Sequence, residues 1–517
     1  MDPTMPEPSA GAPRPPSAAW AQPPAWAQSA ARPPRVRPPR PQRQQPRYLA
    51  VRARLDRGLA AGTLAGGVFF DIAARTGLAT IPVTAWLSVT TAAILLGGRA
   101  RGLAGRLLIG AAPVLGLFLT LRSSPWVLVP VTFGVAVLLL VGVSLGADGS
   151  GLGVTFPALA TRTAVALGHL GLAPGMFRSP GGSAPHGAAR KRAISLARGA
   201  LLGGPVLIVI GVLLALADPI FRSWFDIPAL LEHLALVAIG GWAVLGLSRA
   251  ASAQQPSPAL PPARTLGTVE ASVVLGGLCA LYAAFVTAQF VALSGAGHHI
   301  LVTRGLTYAE YARSGFFQLL ACAAITFVVL LCLRAFTSSA HPVLAVLCGL
   351  TTVLTMGIVI VAIRRLQLYE AAFGLTMLRL ACLVAAVWIG VVFVLLGCTL
   401  MPRGLPRRYF PATVLLSGLI AVGIWGVSNP ASIVAQINLR RAEHGQTLDI
   451  GQAVSLGPDA VPVLVAGLSD LNKAQAAGLR HEICAQRPGK DAGTDFNLSK
   501  ASASEARTRA CSPAGRR

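Results

Sequence analysis

Charge is what this sequence has least of. Of 517 residues only 12% are Asp, Glu, Lys or Arg, against roughly 25% in water-soluble domains. So few charges cannot cover the water-facing surface of a chain this long, which excludes an ordinary soluble globular protein. Lysine is almost missing, with four against forty arginines. Together with abundant Ala, Gly and Pro, that bias fits a GC-rich bacterial genome of the actinobacterial kind and says little about partners. Catalytic signatures are missing too: there is no Walker loop, HExxH, GxSxG or kinase motif, and the sequence reads as a non-enzyme without a cofactor. Eight cysteines are present, but no CxxC or Cys/His spacing suggests a metal. Six of them (Cys279, Cys322, Cys332, Cys348, Cys382 and Cys398) lie in or at the ends of apolar segments, where Cys acts as a small buried hydrophobe. No short apolar core with a cleavage site follows Met1, so no signal peptide is expected.

What the sequence has in abundance is long apolar runs. Hydrophobic residues make up 54% of the chain, with a mean hydropathy of +0.63. Eleven runs qualify as candidate spans: 58–75, 78–97, 104–121, 126–147, 199–217, 229–247, 270–293, 315–335, 342–363, 375–399 and 411–428. A helix needs about 20 apolar residues to cross the hydrocarbon core. Helices are the expected form, because lipid leaves unpaired backbone groups without partners and nothing here alternates like a barrel strand. The first run is the weakest, since it holds Asp71 and many glycines. The fold class read from this is all-α, a polytopic transmembrane bundle of about eleven spans.

The polar segments divide the chain. Residues 1–57, with stretches such as RPPRVRPPRPQRQQPR, bury nothing and are expected to be a disordered cytoplasmic tail. A four-span part follows at 58–147. The loop at 148–198 has room for an interfacial helix over Thr155–Leu172, with Arg162 and His169 on one face. A seven-span part covers 199–428, a small helical extramembrane segment 429–487, and a disordered tail 488–517.

A net charge of +25 invites a nucleic-acid reading, which the distribution rejects. The arginines sit in the tails and in short loops between apolar runs, where membrane proteins keep them. The expected partners are the lipid bilayer and, through the N-terminal tail, anionic lipid head groups, with no nucleic acid. Arg-rich loops at 99–106, 148–198 and 402–409 fall on the same side as the basic tail, hence cytoplasmic. A turn carrying Arg364 and Arg365 falls on the other side. With an odd number of spans the C-terminus is extracytoplasmic, and Cys484 with Cys511 becomes a possible disulfide.

Ionisable residues near membrane spans are the candidates for function, because each is costly there. Asp71 and Arg75 are spaced to pair on one helix. GxxxG at Gly62 and Gly66 suits close helix packing. An external loop carries Asp218, Arg222 and Asp226 among aromatics. Two further segments form a charged cluster: TYAEYARSGFFQLL with Glu310 and Arg313, and RRLQLYEAAFGLTMLRL with Arg365, Glu370 and Arg379. Arg379 lies inside an apolar run, so Glu310 or Glu370 is a partner that would tie two helices together.

The segments ADPIFRSW (217–224), EYARSGFFQL (310–319), YEAAFGLTMLRL (369–380) and NPASIVAQINLRRA (429–442) resemble the bacterial membrane family DUF4153/DUF4173, over roughly residues 200–470. Gln318 and Met377 depart from its usual Glu and Arg. The resemblance implies a fold and a membrane location and leaves the chemistry open. The expected function is an integral membrane protein with a structural or signalling role in envelope homeostasis. The alternatives are a secondary transporter coupled at Glu310, Glu370 and Arg379, and a membrane enzyme acting on a lipid-linked substrate at Asp218 and Asp226.

Overall fold

The computed structural model describes residues 57–77, 79–97, 99–147, 151–173, 227–253, 266–293, 315–337, 341–401, 403–486 and 495–512. Sixteen α-helices and no sheet occur among these residues. Eight helices are long and apolar enough to cross a bilayer, and the chain is an all-helical, multi-pass membrane protein. They are α3 (Leu103–Leu121), α4 (Pro125–Gly146), α6 (Ile227–Ser252), α7 (Thr268–Leu293), α8 (Phe316–Phe336), α9 (Pro342–Phe373), α10 (Met377–Cys398) and α11 (Phe410–Ser428). Before them come α1 (Arg57–Thr76) and α2 (Ile81–Leu95), which pack on α3 and α6. At 15 residues, α2 is about 22 Å long, short of the ~30 Å hydrocarbon core. The expected span at 199–217 and the tail at 1–56 lie outside the described residues. Over the expected interfacial segment the chain forms α5 (Phe156–Gly171), which packs on α4 and α6.

The bundle has two chemically different ends. At one, the start of α7 meets the end of α8 through a Leu266–Thr337 bridge. There Arg334 of α8 reaches Thr399 after α10, and Phe156 packs edge-on against Phe410. At the other end lie the α1–α2, α3–α4 and α9–α10 turns, with the helices that follow α11. Proline opens α2, α4, α5, α9 and α11, where its missing N–H costs nothing and its fixed φ fits the helix.

Small residues set how closely the helices approach. The Gly66–Gly67 pair of α1 faces Gly240–Gly241 of α6: a Cβ on Gly67 would sit 2.5 Å from the Val237 carbonyl oxygen, and one on Gly66 would sit 2.7 Å from Val244. Gly62 similarly abuts Ala93 of α2. In lipid, where the hydrophobic effect does not drive helices together, such backbone proximity is a main source of packing energy.

The chain differs from its sequence reading in two places. Arg364 and Arg365 are not in a turn. Helix α9 continues through them for 32 residues to Phe373, because RRLQLYEAAF contains no breaker, and the reversal waits for Gly374 at φ +81°. The region 488–517, expected to be disordered, contains α16 (Leu498–Cys511). Its Ala503, Ala506 and Ala510 recur at helical spacing and are buried. Small side chains that looked too poor to form a core instead let the helix lie flat on its neighbours.

Helix α16 completes a compact module with α12 (Pro430–Glu443), α13 (Ile450–Ser455), α14 (Val461–Ala466) and α15 (Lys473–Ala485). Here all the helices but α14 start with side-chain caps. Asn429, Asp449, Asn472 and Asn497 each accept from the backbone N–H three residues on, satisfying a donor that has no partner within the helix. Leu439, Leu464, Leu479 and Ile483 form the module's core, continuous with that of α2–α4.

Replacing Gly67 by Ala is expected to destabilise the bundle by about 1–3 kcal/mol, the usual cost of overpacking, because the new methyl meets backbone. Gly110→Ala, which opens onto free space, is expected to be harmless. Thermal unfolding of the two detergent-solubilised variants checks this, and equal melting would refute the close α1–α6 contact.

Candidate functional site

The most elaborate polar construction joins the C-terminal module to the bundle. Its centre is Asp459, 3% exposed, in the 3-10 turn between α13 and α14. One carboxylate oxygen accepts the backbone N–H groups of Ser123 at 3.0 Å and Ser124 at 2.6 Å, and the Ser123 hydroxyl at 3.2 Å. The other accepts the hydroxyl of Ser499. Ser124 is the N-cap of α4 but makes no side-chain cap of its own. The cap is supplied from the far end of the chain, and the buried negative charge is offset by oriented N–H groups and the positive end of the α4 dipole. Asp459's own carbonyl accepts from Asn429 at 3.1 Å and Ser432 at 2.8 Å.

Asn497, 1% exposed, does the complementary work for acceptors. Its amide nitrogen donates to the carbonyls of Ala79 and Arg122 at 3.0 and 2.9 Å, with Leu119 at 3.4 Å. The Ser499 hydroxyl oxygen also lies 3.0 Å from the Leu121 carbonyl, which shares the hydroxyl's one proton with Asp459. The Leu119 and Leu121 carbonyls of the last turn of α3 thereby gain partners that the helix cannot give them. Arg122 passes the linkage on, donating to the carbonyls of Gly426 and Val427 at the end of α11, both at 2.9 Å. On the other half of the bundle, Asn438 grips Leu375 in the α9–α10 turn through both its N–H (3.0 Å) and its carbonyl (2.8 Å). Gln452 adds a bond to the same carbonyl at 2.8 Å, and Arg441 donates to Ala371 at 2.8 Å. The module bridges the α1–α4 hairpins and the α9–α10 hairpin.

Of the charged cluster expected from sequence, Glu310 and Arg313 lie outside the described residues. So do Asp218, Arg222 and Asp226. Arg365 donates to Gln289 of α7 at 3.1 Å. Arg379 sits over the Tyr369 ring, 4.2 Å from its centre, and donates to the Gly374 carbonyl, which holds the α9–α10 turn from the α10 side. The ion pairs among the described residues do not include one between Glu370 and Arg379. Cys484 and Cys511 are disulfide-bonded with their Cα atoms 5.8 Å apart, fastening α15 to α16.

Two partners were not visible from sequence. Arg75 pairs with Asp71 at 3.1 Å, and the other Asp71 oxygen meets His233 of α6 at 2.6 Å, so what reads as a local pair also joins two helices. Asp459 itself stands in a plain GPDAVP turn. No group of three or more metal-ligating side chains occurs among the described residues.

Between α4, α5, α10 and α11 runs an apolar groove of about 1080 Å³, lined by Trp126, Phe133, Leu167, Trp388, Val414 and Val422 among others. It offers hydrocarbon contact and almost no hydrogen bonds to a polar substrate. Neither this groove nor the smaller cavity at the opposite end is lined by Glu370 or Arg379.

Asp459→Ala is expected to strand the Ser123 and Ser124 N–H groups, a loss on the order of 3 kcal/mol, and to loosen the module. Hydrogen exchange at residues 119–125 and over α16 should accelerate together. Unchanged exchange at both would show that Asp459 does not hold the seat.

No curated protein and no solved structure matches this chain. The domain described as Domain of unknown function (DUF4153) matches over residues 107–467, from the first turns of α3 to the end of α14. The match begins earlier than the motifs alone suggest and includes both the capped α4 and the capping Asp459. The chain belongs to the DUF4153 family.

Proposed function

We propose that this chain is a non-catalytic integral protein of a bacterial cytoplasmic membrane that presents its helical module on the outer face as a structural or signalling element of the envelope. The observation that carries the reading is the Asp459 seat. A buried carboxylate capping a membrane helix, with a buried amide closing the neighbouring helix end, couples the module rigidly to the hairpins beneath it. Displacement of the module by a partner would uncap α4 and α3, giving a physical route from the envelope side into the bundle.

The orientation rests on charge and redox chemistry. Arg99, Arg101, Arg106, Arg334, Arg403, Arg407 and Arg408 gather at the end opposite the module, as cytoplasmic loops do. The module carries the Cys484–Cys511 disulfide, a bond that persists in oxidising compartments. Transport coupled at Glu370 and Arg379 is less well supported, since Arg379 is engaged with Tyr369 and Gly374 and neither described cavity reaches it.

Reporter fusions after Ser428 and after Arg517, one type active only outside the membrane and one only inside, test the orientation. External activity is expected at both sites; internal activity at either would overturn the outward module. In parallel, denatured chain from freshly isolated membranes is expected to take up two more maleimide tags after reduction than before, from Cys484 and Cys511. Equal labelling would remove the redox argument.

A further inference from the structure

At the Arg-rich end, five helix ends converge on a cavity of about 150 Å³. It lies between the first turn of α7, the last turn of α8, the first turns of α9, and the segments after α10 and before α11. Its polar lining consists of Arg334, Arg407, His341, Thr337 and Cys348, with Leu275 at its base. No carboxylate lines it. Among the described residues neither Arg334 nor Arg407 forms an ion pair, in contrast with Arg75 at the other end, which has both Asp71 and Glu232. Arg334 spends part of its guanidinium on the end of α10, donating to the Thr399 hydroxyl at 2.8 Å and its carbonyl at 3.5 Å. The remainder of the fork lines the cavity together with Arg407 and His341, both of them exposed residues. The N-terminal ends of α7 and α9 meet the C-terminal ends of α8 and α10 here, so the helix dipoles offset one another, and the charge of the recess is that of its arginines.

Two like charges sharing one recess repel unless something of opposite sign lies between them. Long arginines at a membrane surface ordinarily avoid this by reaching out to water. Arg334 does not, because Thr399 holds it back. We infer that this recess is a binding site for a single phosphate group, taken between the Arg334 and Arg407 guanidiniums, which match an oxyanion in bidentate geometry. A cavity near 150 Å³ takes a guest of benzene size, which fits a phosphate and is too small for a nucleotide. The phosphate has two possible sources, the head group of an anionic phospholipid in the same leaflet or free inorganic phosphate. The site needs the bundle to be folded but does not depend on which side the module faces, so the fusion experiment above and this one fail separately.

The test uses the full chain in dodecyl maltoside micelles, which carry no phosphate, alone, with added phosphatidylglycerol, or with inorganic phosphate in the buffer. Melting is followed by intrinsic fluorescence and retained lipid by native mass spectrometry. Phosphatidylglycerol is expected to raise the melting temperature and to be retained as one tightly held molecule per chain. Inorganic phosphate giving the rise instead would support the same site with a soluble source. Arg407→Gln, which disturbs no described hydrogen bond, should weaken either effect severalfold. The double variant Arg334→Gln/Arg407→Gln should abolish it. Arg403→Gln, outside the cavity, should leave it intact. No rise with either phosphate in the wild type would overturn the site. An equal rise in Arg407→Gln, or its loss in Arg403→Gln, would do the same by reducing the effect to general surface charge.

Discussion

The structure turns on a problem every membrane helix shares: the first N–H groups of the helix have no partner inside it. In α4 the Ser124 carbonyl takes the Val127 and Leu128 N–H groups and Pro125 removes one donor, but the Ser123 and Ser124 N–H groups that lead into the helix find no acceptor beside them. Asp459, more than three hundred residues later, supplies the missing acceptor. The carboxylate in turn is tolerable in its buried position only because those N–H groups, the Ser123 hydroxyl and the Ser499 hydroxyl meet it. Each partner needs the other, so the module fits the bundle in one register. The same holds in reverse at α3, whose terminal carbonyls are closed by Asn497 and Ser499.

That interdependence explains why the module needs so little apolar area of its own. Its helices are short and several of its buried residues are alanines, a thin core for a free-standing domain. It gains what it lacks by continuing the core of α2–α4, by the Asn438 grip on the α9–α10 turn, and by the Cys484–Cys511 bond between its last two helices.

What was legible in the sequence follows from the kind of force involved. The spans α3, α4 and α6–α11 announce themselves because lipid demands continuous apolar helices, and their ends lie within a few residues of the apolar runs except at the C-terminal end of α9, which runs on to Phe373. The helical character of 429–487 was legible too, and its helices start at local caps, Asn429, Asp449 and Asn472. The seat was not legible, since nothing in GPDAVP distinguishes an aspartate that caps its own turn from one that caps a helix hundreds of residues away. His233 was hidden for the same reason: Asp71 and Arg75 already satisfied the four-residue rule, and a third partner on α6 leaves no periodic trace. Helix α16 was misread because low hydropathy signals disorder only when no neighbour offers a surface suited to small side chains.

The two ends of the bundle therefore manage charge by different means. At the module end polar and charged groups find partners within the chain: Asp71 with Arg75 and His233, Asp459 with the α4 N-terminus, Arg122 with the α11 carbonyls, Arg379 with Tyr369 and Gly374. These pairings within the chain suit a surface meant to keep a fixed shape. At the opposite end cations outnumber the carboxylates near them, and Arg334 and Arg407 share a recess without an anion of the protein's own. Water and head groups screen the arginines that reach out, but a guanidinium held back by Thr399 is screened least. The asymmetry is thus more than a count of arginines: one end is closed by the chain itself, and the other is complete only in the presence of the membrane's own anions or those dissolved beside it.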